Sequence, residues 1–299
     1  LSYYIMKFTL VEHVDPNDIF EVLKSPLIDK QHAERLAAYY RIARKNNGRI
    51  PVTYVKKASG RYYPEDGYPL HGIYQWRSVR STLYSDREYD IDAVSCHPAI
   101  MRYLAERFNL THEILSEYIK DRPRFIADLD ITQADVDNYN KNEHSDWTMK
   151  DMCKFVFTSA MFGAGIKSAI TKLHMQRSPV RDGSISDGLL GEIKSISRTL
   201  AKLECYRHFK EGVKNCHDGK VVSRIISNIE SEIVLELIKT FQSNDLDVTV
   251  YMYDGFQVRS QDAEFIDELL EEFNESNEFG LEFIRKPFSK KVAEVEKTW

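Results

Sequence analysis

Hydrophobic and polar residues alternate in REYDIDAV, residues 87–94. A period of two predicts a β-strand that carries Asp90 and Asp92 on the same face. The segment DVTVYMYDGFQVRS, residues 247–260, predicts a second strand, a turn at Asp254 and a third strand. If these strands lie in one sheet, the aspartates near positions 92 and 254 come together.

Helical periods dominate most of the remaining chain. Residues 51–86 are an exception, because their Tyr, Gly and Pro content predicts short strands and loops. The region from about 100 to 225 is mostly helical, and a closing strand is predicted at 281–289. Four further segments with apolar residues at helical spacing predict helices at 17–25, 29–47, 223–244 and 261–276. The order strand, helical block, hairpin, helix, strand predicts an α+β fold, in which a helical insertion interrupts an antiparallel sheet.

Composition narrows the function classes only slightly. The chain has 299 residues and a net charge of -5, so any nucleic-acid contact depends on local basic patches. Its four cysteines are far apart, which argues against disulfides, and adjacent Cys216 and His217 are a poor zinc spacing beside Cys205 and His208. No apolar run approaches the ~18 residues of a membrane span, and no signal peptide is evident. We therefore expect an intracellular protein that is not secreted. The initial Leu is compatible with a processed product, a trimmed chain or a longer parent protein.

The paired aspartates suggest a metal site. Two carboxylates on neighbouring strands, open to solvent at one edge, suit Mg²⁺, which prefers oxygen ligands. Two such ions, roughly 3.5–4 Å apart, stabilise the attacking and leaving oxygens of a phosphoryl transfer. The alternative for Asp254 is turn chemistry alone, since Asp-Gly is a common hairpin bend.

A stripe of side chains recurs in WTMKDMCKFVFTSAMFGAG, where Lys150, Lys154, Thr158 and Phe162 are spaced by four residues. Each step of four advances only ~40° around a helix, so the four share one face. The lysines suit phosphates, the ring suits a base or sugar, and Gly163 ends the helix. A solvated lysine face with a core phenylalanine is the alternative.

Basic residues alternate with aromatic ones in KKASGRYYP, residues 56–64, and YQWRSVRS, residues 74–81. Arg61, Arg77 and Arg80 in these segments suit a phosphate backbone beside stacked bases. Tyrosine-rich loops also make ordinary protein contacts, so each patch alone is weak evidence.

Together these motifs resemble the single-subunit nucleic-acid polymerases, which comprise DNA polymerase I-like (family A) enzymes and phage-type RNA polymerases. SGR resembles the Thr-Gly-Arg element, DAVSCHP resembles motif A, KDMCKFVFTSAMFG resembles motif B and YDGF resembles motif C. The ending, LEFIRKPFS and KTW, is similar to the closing palm strand and terminus of DNA polymerase I-like chains. The resemblance covers roughly residues 56–299.

The resemblance implies roles for the acidic residues and the nucleotide-binding helix. Asp92 and Asp254 stand at the carboxylates that bind two Mg²⁺ ions, with Mn²⁺ as an alternative metal and Asp90 as an alternative ligand. Lys154 stands where a lysine assists the leaving pyrophosphate, which makes it a catalytic candidate. The nucleotide-binding candidates are Lys150, Thr158, Phe162, Gly163 and His97.

The resemblance also implies contacts with primer and template. Asn228 and Glu230 stand on a helix that faces the duplex minor groove in such enzymes. The nucleic-acid-binding candidates are Arg61, Arg77, Arg80, Tyr253, Asn228 and Glu230.

Five departures from the family pattern affect the interpretation. Tyr253 replaces a histidine, Gly255 an acidic residue or serine, and Lys150 an arginine. Phe162 lacks the hydroxyl that favours ribose in the RNA polymerases, which favours a DNA product. His97 occupies the position of a glutamate that crowds the sugar 2′ carbon in DNA polymerases.

The expected architecture is a palm with a helical fingers insertion and a thumb that is reduced or missing. The expected boundaries are a helical segment at 1–50 (a thumb remnant or a partner contact), first palm part at 51–100, fingers at 101–225 and second palm part at 226–299. The chain is thus a minimal enzyme, or a fragment or subunit whose thumb is supplied by a second protein. Such compactness suits a virus, a phage or a mobile element, and a viral source would imply the host cytoplasm or nucleus.

The expected activity is template-dependent addition of dNTPs to the 3′-hydroxyl of a primer, with primer-template and nucleoside triphosphates as partners. Two alternatives remain open. One is an RNA polymerase or primase on the same scaffold, and the other is a non-catalytic nucleic-acid-binding subunit of a replication complex.

Overall fold

The structure is a computed structural model, and the part it describes comprises residues 7–26, 28, 30–65, 77–143, 147–211, 217–288 and 291–296. The predicted closing KTW segment, Cys216 and residues 74–76 lie outside these ranges. No helix in the described ranges is long and apolar enough to cross a membrane.

The chain divides into two compact units. The first, here called the sheet unit, consists of the described residues of Leu1–Val94 and Glu230–Trp299. The second, the helical unit, is Ser95–Ile229, and it is inserted between two parts of the sheet unit. The helical insertion predicted from the sequence is therefore present.

The N-terminal part of the sheet unit forms a three-stranded antiparallel sheet in the order β1-β2-β3, with β1 at Lys7–His13, β2 at Arg49–Lys56 and β3 at Tyr62–Pro64. Helices α1 (Pro16–Leu23) and α2 (Lys30–Lys45) connect the first two strands. Both helices were predicted, but β1 was not, because Leu10 and Val11 are adjacent apolar residues that interrupt the period of two.

The other sheet of this unit has four antiparallel strands in the order β5-β6-β4-β7. These are β4 (Glu88–Val94), β5 (Asp247–Met252), β6 (Gly255–Arg259) and β7 (Glu282–Lys286). The predicted strand, hairpin and closing strand therefore belong to one antiparallel sheet, and the predicted α+β class is confirmed.

The four-stranded sheet has one apolar face. Ile91 of β4 and Phe256 of β6 are directly paired and fully buried, and Phe283 of β7 lies on the same face. The ring of Phe256 is 5.1 Å from that of Phe241, and Phe283 is 5.8 Å from Phe273. Phe241 belongs to α11 (Asp218–Ser243) and Phe273 to α12 (Ala263–Ser276), so these helices cover the core of the sheet.

A cluster of aromatic rings joins the two sheets of the unit. Tyr251 of β5 lies 5.7 Å from Phe8, 5.5 Å from Tyr54 and 6.0 Å from Tyr62, measured between ring centroids. The Tyr251 amide also donates to the Tyr54 hydroxyl at 3.2 Å. These contacts fix the strand that leads into the Asp254 turn. Two short helices complete the unit, α3 (Arg77–Tyr84) and α13 (Val292–Glu296).

The helical unit contains no strand among its described residues. Its helices are α4 (Cys96–Arg107), α5 (Glu113–Lys120), α6 (Arg122–Asp128), α7 (Gln133–Glu143), α8 (Met149–Met161), α9 (Ile166–Lys172), α10 (Ile185–Leu200), a 3₁₀ helix (Glu204–Lys210) and the start of α11. Helix α8 carries the predicted nucleotide-binding stripe. It begins at a capping box, in which Thr148 and Asp151 bond reciprocally to each other's backbone N–H.

Candidate functional site

Asp92 on strand β4 and Asp254 in the β5–β6 turn lie next to each other in the backbone of the sheet unit. Asp92 pairs with Gly255, the first residue of β6, and Asp254 immediately precedes that residue in the hairpin turn. The Ala93 amide donates to the Asp254 carbonyl oxygen at 3.0 Å, which ties the turn to β4. Both aspartates are partly accessible to solvent. The expected meeting of positions 92 and 254 is therefore confirmed.

The close approach of the turn to β4 requires glycine at position 255. A Cβ atom there would lie 2.1 Å from the carbonyl oxygen of Ile91, so no side chain fits without separating the strands. The turn also holds Tyr253 at φ 47°, in the left-handed region that non-glycine residues rarely occupy. Neighbouring contacts must therefore stabilise this conformation of Tyr253.

Three carboxylates share the face of β4 opposite the apolar core. Glu88, Asp90 and Asp92 alternate along the strand, and Asp90 and Glu88 are only 3% and 4% exposed. Burial raises the pKa of Asp90 to about 6, the Arg80 guanidinium opposes the shift, and the Asp92 carboxylate adds to it. Arg80 donates to Asp90 at 3.1 Å. Asp90 is thus a buried, paired carboxylate, whereas Asp92 lies at the accessible end of the row.

Asp92 has a cationic partner that sequence reasoning missed. Lys286 of β7 donates from Nζ to the Asp92 carboxylate at 2.5 Å. The Lys286 side chain is 48% exposed and that of Asp92 27% exposed. The closing strand was predicted, but its pairing with β4, which brings Lys286 to Asp92, is a tertiary contact.

Glu88 was also missed as a member of the acidic row, although the period of two that identified the aspartates includes it. The Thr249 hydroxyl donates to Glu88 at 2.7 Å, and the other carboxylate oxygen has no hydrogen-bond partner among the described residues. Burial raises the pKa of Glu88 to about 8; the Thr249 hydrogen bond opposes this shift, and the Glu12 carboxylate adds to it. Glu88 therefore holds its proton to a higher pH than an ordinary glutamate does.

Arg61, predicted to contact nucleic acid, makes an ion pair inside the sheet unit. It donates to Glu230 from Nε at 2.6 Å and from a terminal nitrogen at 3.0 Å, which is a bidentate geometry. Glu230 is fully buried, and the guanidinium carbon lies 5.0 Å from the ring centroid of Tyr253. Burial would lower the pKa of Arg61, but Glu230 and then Asp254 outweigh it and raise that pKa above its ordinary value. Glu230 and Tyr253, two other predicted nucleic-acid contacts, therefore both contact the guanidinium of Arg61.

The remaining nucleic-acid candidates are dispersed. Arg77 is exposed at the start of α3, and Arg80 of the same helix donates to Asp90 and lies 3.3 Å from the sulfur of Met252. Asn228 is 8% exposed on α11. A role for these residues in nucleic-acid binding stays a prediction.

In the helical unit, the nucleotide-binding candidates occupy α8 and its C-terminal end. Lys150 and Lys154 are exposed, and Thr158 is half-buried. Phe162 caps the helix, and its ring lies 5.1 Å from that of His97, edge to face. The structure therefore brings two of the candidates into contact.

Gly163 follows Phe162 with φ 77°, and a Cβ there would lie 2.6 Å from Cα of Gly219. The end of α8 is therefore packed backbone to backbone against the start of α11.

The described residues contain no group of three or more His, Cys, Asp and Glu side chains able to hold a metal ion. Asp92 and Asp254 alone fit a divalent cation as two hard oxygen donors whose other ligands come from water or phosphate. In this structure Asp92 pairs with the ammonium group of Lys286.

Comparisons with known proteins identify no family. No protein-family model matches the chain, and no curated protein matches it. Among the solved structures, the chain is similar to the POL domain of Pol1 from M. smegmatis, in complex with DNA primer-template and dNTP. That likeness has a TM-score of 0.47 and 11% sequence identity, and it covers 85% of this chain. The chain spans about half the length of that structure, 51%. A likeness at this level establishes neither a family nor an activity.

Proposed function

We propose that this chain is a template-dependent nucleotidyltransferase, with DNA-directed DNA polymerase as its primary activity. The observation that carries the proposal is the pair of accessible carboxylates, Asp92 on β4 and Asp254 in the adjoining β5–β6 turn. It is supported by the order of the four motifs that resemble single-subunit polymerases.

The carboxylate pair fits divalent metal ions, and Asp92 is the better ligand of the two candidates on β4. Asp90 is buried and bonded to Arg80, so a metal there would displace a guanidinium in a site closed to water. Asp92 is accessible, and its Lys286 partner is half-exposed and free to move into solvent. When bound, two Mg²⁺ ions would lower the pKa of the attacking hydroxyl and neutralise charge on the leaving phosphates.

The chain's own side chains would then orient and neutralise the substrate. Lys154 and Lys150, exposed and four residues apart on α8, would offset charge on the triphosphate and on departing pyrophosphate. The edge-to-face contact between His97 and Phe162 would form a wall against the sugar or base. Phe162 has no hydroxyl to bond a ribose 2′-OH, which supports deoxynucleotides as substrates.

The proposal is tested by primer extension with the full chain, Mg²⁺ and dNTPs. We expect Asp254→Asn to lower the extension rate by about a hundredfold or more, because it removes a negative charge that must face the ions. Binding of primer-template, measured by fluorescence anisotropy, should stay near the wild-type value. Asp245→Asn is a matched control, since Asp245 is exposed just before the same hairpin.

Equal extension by wild type and Asp254→Asn would reject the metal assignment. Parallel reactions with rNTPs, an RNA template or no primer separate a DNA polymerase from an RNA polymerase or primase. Primer-template binding with no extension under any of these conditions would favour the non-catalytic subunit instead.

A further inference from the structure

We infer that Arg61 and Glu230 are positioning residues, which hold the turn that carries Asp254 through the ring of Tyr253. This inference rests on the proposed function for its catalytic consequence, and on the geometry of the sheet unit alone for its structural part. It assigns Arg61, Glu230 and Tyr253 a role other than contact with primer or template.

The ion pair is built as a fixed support. Glu230 is fully buried, and the Arg61 side chain is 22% exposed. Two parallel hydrogen bonds, of 2.6 Å and 3.0 Å, fix the plane of the guanidinium relative to α11. On the other side, the loop after β2 fixes Arg61, because its carbonyl accepts from the Lys57 amide at 2.9 Å. Arg61 is therefore held both at its backbone carbonyl and at its guanidinium.

The Tyr253 ring rests on this support. The Arg61 guanidinium carbon lies 5.0 Å from the centroid of the Tyr253 ring. The ring of Tyr63 contacts the Tyr253 ring edge to face, with 5.5 Å between the two centroids. A guanidinium over a tyrosine ring is attracted by the negative face of the ring. These contacts offset the unfavourable left-handed φ of 47° at Tyr253.

Asp254 follows Tyr253, so the backbone conformation of Tyr253 sets where the carboxylate points. If the ring loses its support, Tyr253 can relax out of the left-handed region, and Asp254 then moves relative to Asp92. A misplacement of about 1 Å at a reacting centre costs about a hundredfold in rate. The same buried charge of Arg61 also acts on Asp254 directly, as the raised pKa of Arg61 reflects.

A phosphate contact and a positioning role for Arg61 predict different measurements. A side chain that binds phosphate contributes to primer-template affinity, and its loss lowers the slope of log affinity against log salt by about 1. A positioning residue leaves affinity and slope unchanged but lowers kcat. The two roles are separated by measuring kcat, primer-template affinity and its salt slope for the same variants.

The test uses the full chain and the variant Glu230→Gln, which keeps the shape of the side chain but removes its charge. We expect kcat for primer extension to fall by about tenfold to a hundredfold, with the primer-template dissociation constant and salt slope unchanged. Tyr253→Ala should have the same effect without disturbing the buried pair, which keeps the test valid if Glu230→Gln folds poorly. Glu236→Gln, an exposed change on the same helix, is the matched control.

Hydrogen exchange gives a readout that needs no activity. The Ala93 amide donates to the Asp254 carbonyl, so its exchange rate reports on the turn. We expect exchange at Ala93 to become about tenfold faster in Glu230→Gln and Tyr253→Ala. Tyr253→Phe keeps the ring and should keep the wild-type exchange rate.

The outcomes separate this inference from the proposed function. A wild-type chain that does not extend primers rejects the proposed function, while exchange at Ala93 still decides whether the ion pair holds the turn. Unchanged exchange at Ala93 in both variants overturns the inference. Arg61→Gln removes the cation itself, and weaker primer-template binding with a salt slope reduced by about 1 in that variant also overturns the inference.

Discussion

Glu88 makes the stability of the sheet unit dependent on pH in a direction that can be measured. The carboxyl group is 4% exposed, accepts one hydrogen bond from Thr249, and has its pKa raised from 4.5 to about 8 by burial. Because the folded state holds this proton more tightly than the unfolded state, Glu88 favours folding fully below pH 4.5. That contribution is lost as pH rises toward 8.

The structure sets the size of the effect. A difference of about 3.5 pKa units corresponds to about 5 kcal/mol over the whole range. Asp90, whose pKa is raised from 3.8 to about 6, acts in the same direction but only at lower pH. Between pH 6 and 8 the Glu88 contribution alone falls by about 2 kcal/mol, because its slope of just over 1 kcal/mol per pH unit halves as the pH reaches the folded-state pKa.

The perturbation is Glu88→Gln, in which the amide oxygen can still accept from Thr249 and no charge forms at high pH. Urea unfolding followed by circular dichroism at pH 6, 7 and 8 measures the free energy of unfolding. We expect the free energy of unfolding of the variant to gain about 2 kcal/mol relative to wild type between pH 6 and pH 8. Comparing the two proteins at each pH removes the contributions of other titrating groups, and Glu268→Gln, an exposed change, is the control. A difference that stays constant across this range would refute the reasoning, since Glu88 would then be ionised throughout.

Two further predictions concern the neighbourhood of Asp92. Lys286→Gln removes the cation that competes with a metal ion for Asp92. A half-exposed ion pair is worth about 0.2–1 kcal/mol, so the affinity for Mn²⁺ should rise by about 1.4-fold to fivefold in calorimetric titrations. Unchanged affinity would show that the lysine does not compete. Gly255→Ala places a Cβ against the Ile91 carbonyl and should lower the free energy of unfolding by about 1–3 kcal/mol in urea titrations. As a control, Gly191→Ala in α10, where a Cβ would meet no atom within 4 Å, should raise the free energy of unfolding by about 0.5–1 kcal/mol. Equal changes in the two variants would contradict the close packing at Gly255.

The features that the sequence predicted are those that depend on local pattern. The strand at 87–94, the hairpin around Asp254 and helix α8 each follow from residues within one short window, and the structure has all three. The common sheet could be predicted because a helical block between strands leaves the strands to pair with each other. Helix α3 was not predicted, because its eight residues include two serines, a threonine and two arginines, and it follows a segment rich in Tyr, Gly and Pro.

The supports of the candidate site could not be predicted in this way. Arg61 and Glu230 are 169 positions apart, and a charged residue within an amphipathic helix normally indicates the solvated face. Lys286 and Asp92 are 194 positions apart. Such pairs are set by how strands and helices pack, which no local period records, so Arg61 and Glu230 could be read from sequence only as candidates for nucleic-acid contact.

The place of β4 in the sheet has a consequence for synthesis on the ribosome. β4 lies between β6 and β7, and both of those neighbours are translated after the whole of the helical unit. Until then, both edges of β4 lack their partners, and long-range pairing of this kind is slow and prone to intermolecular association. The aspartates that would later serve chemistry keep charge on that nascent strand, and charged side chains discourage a free edge from joining another chain.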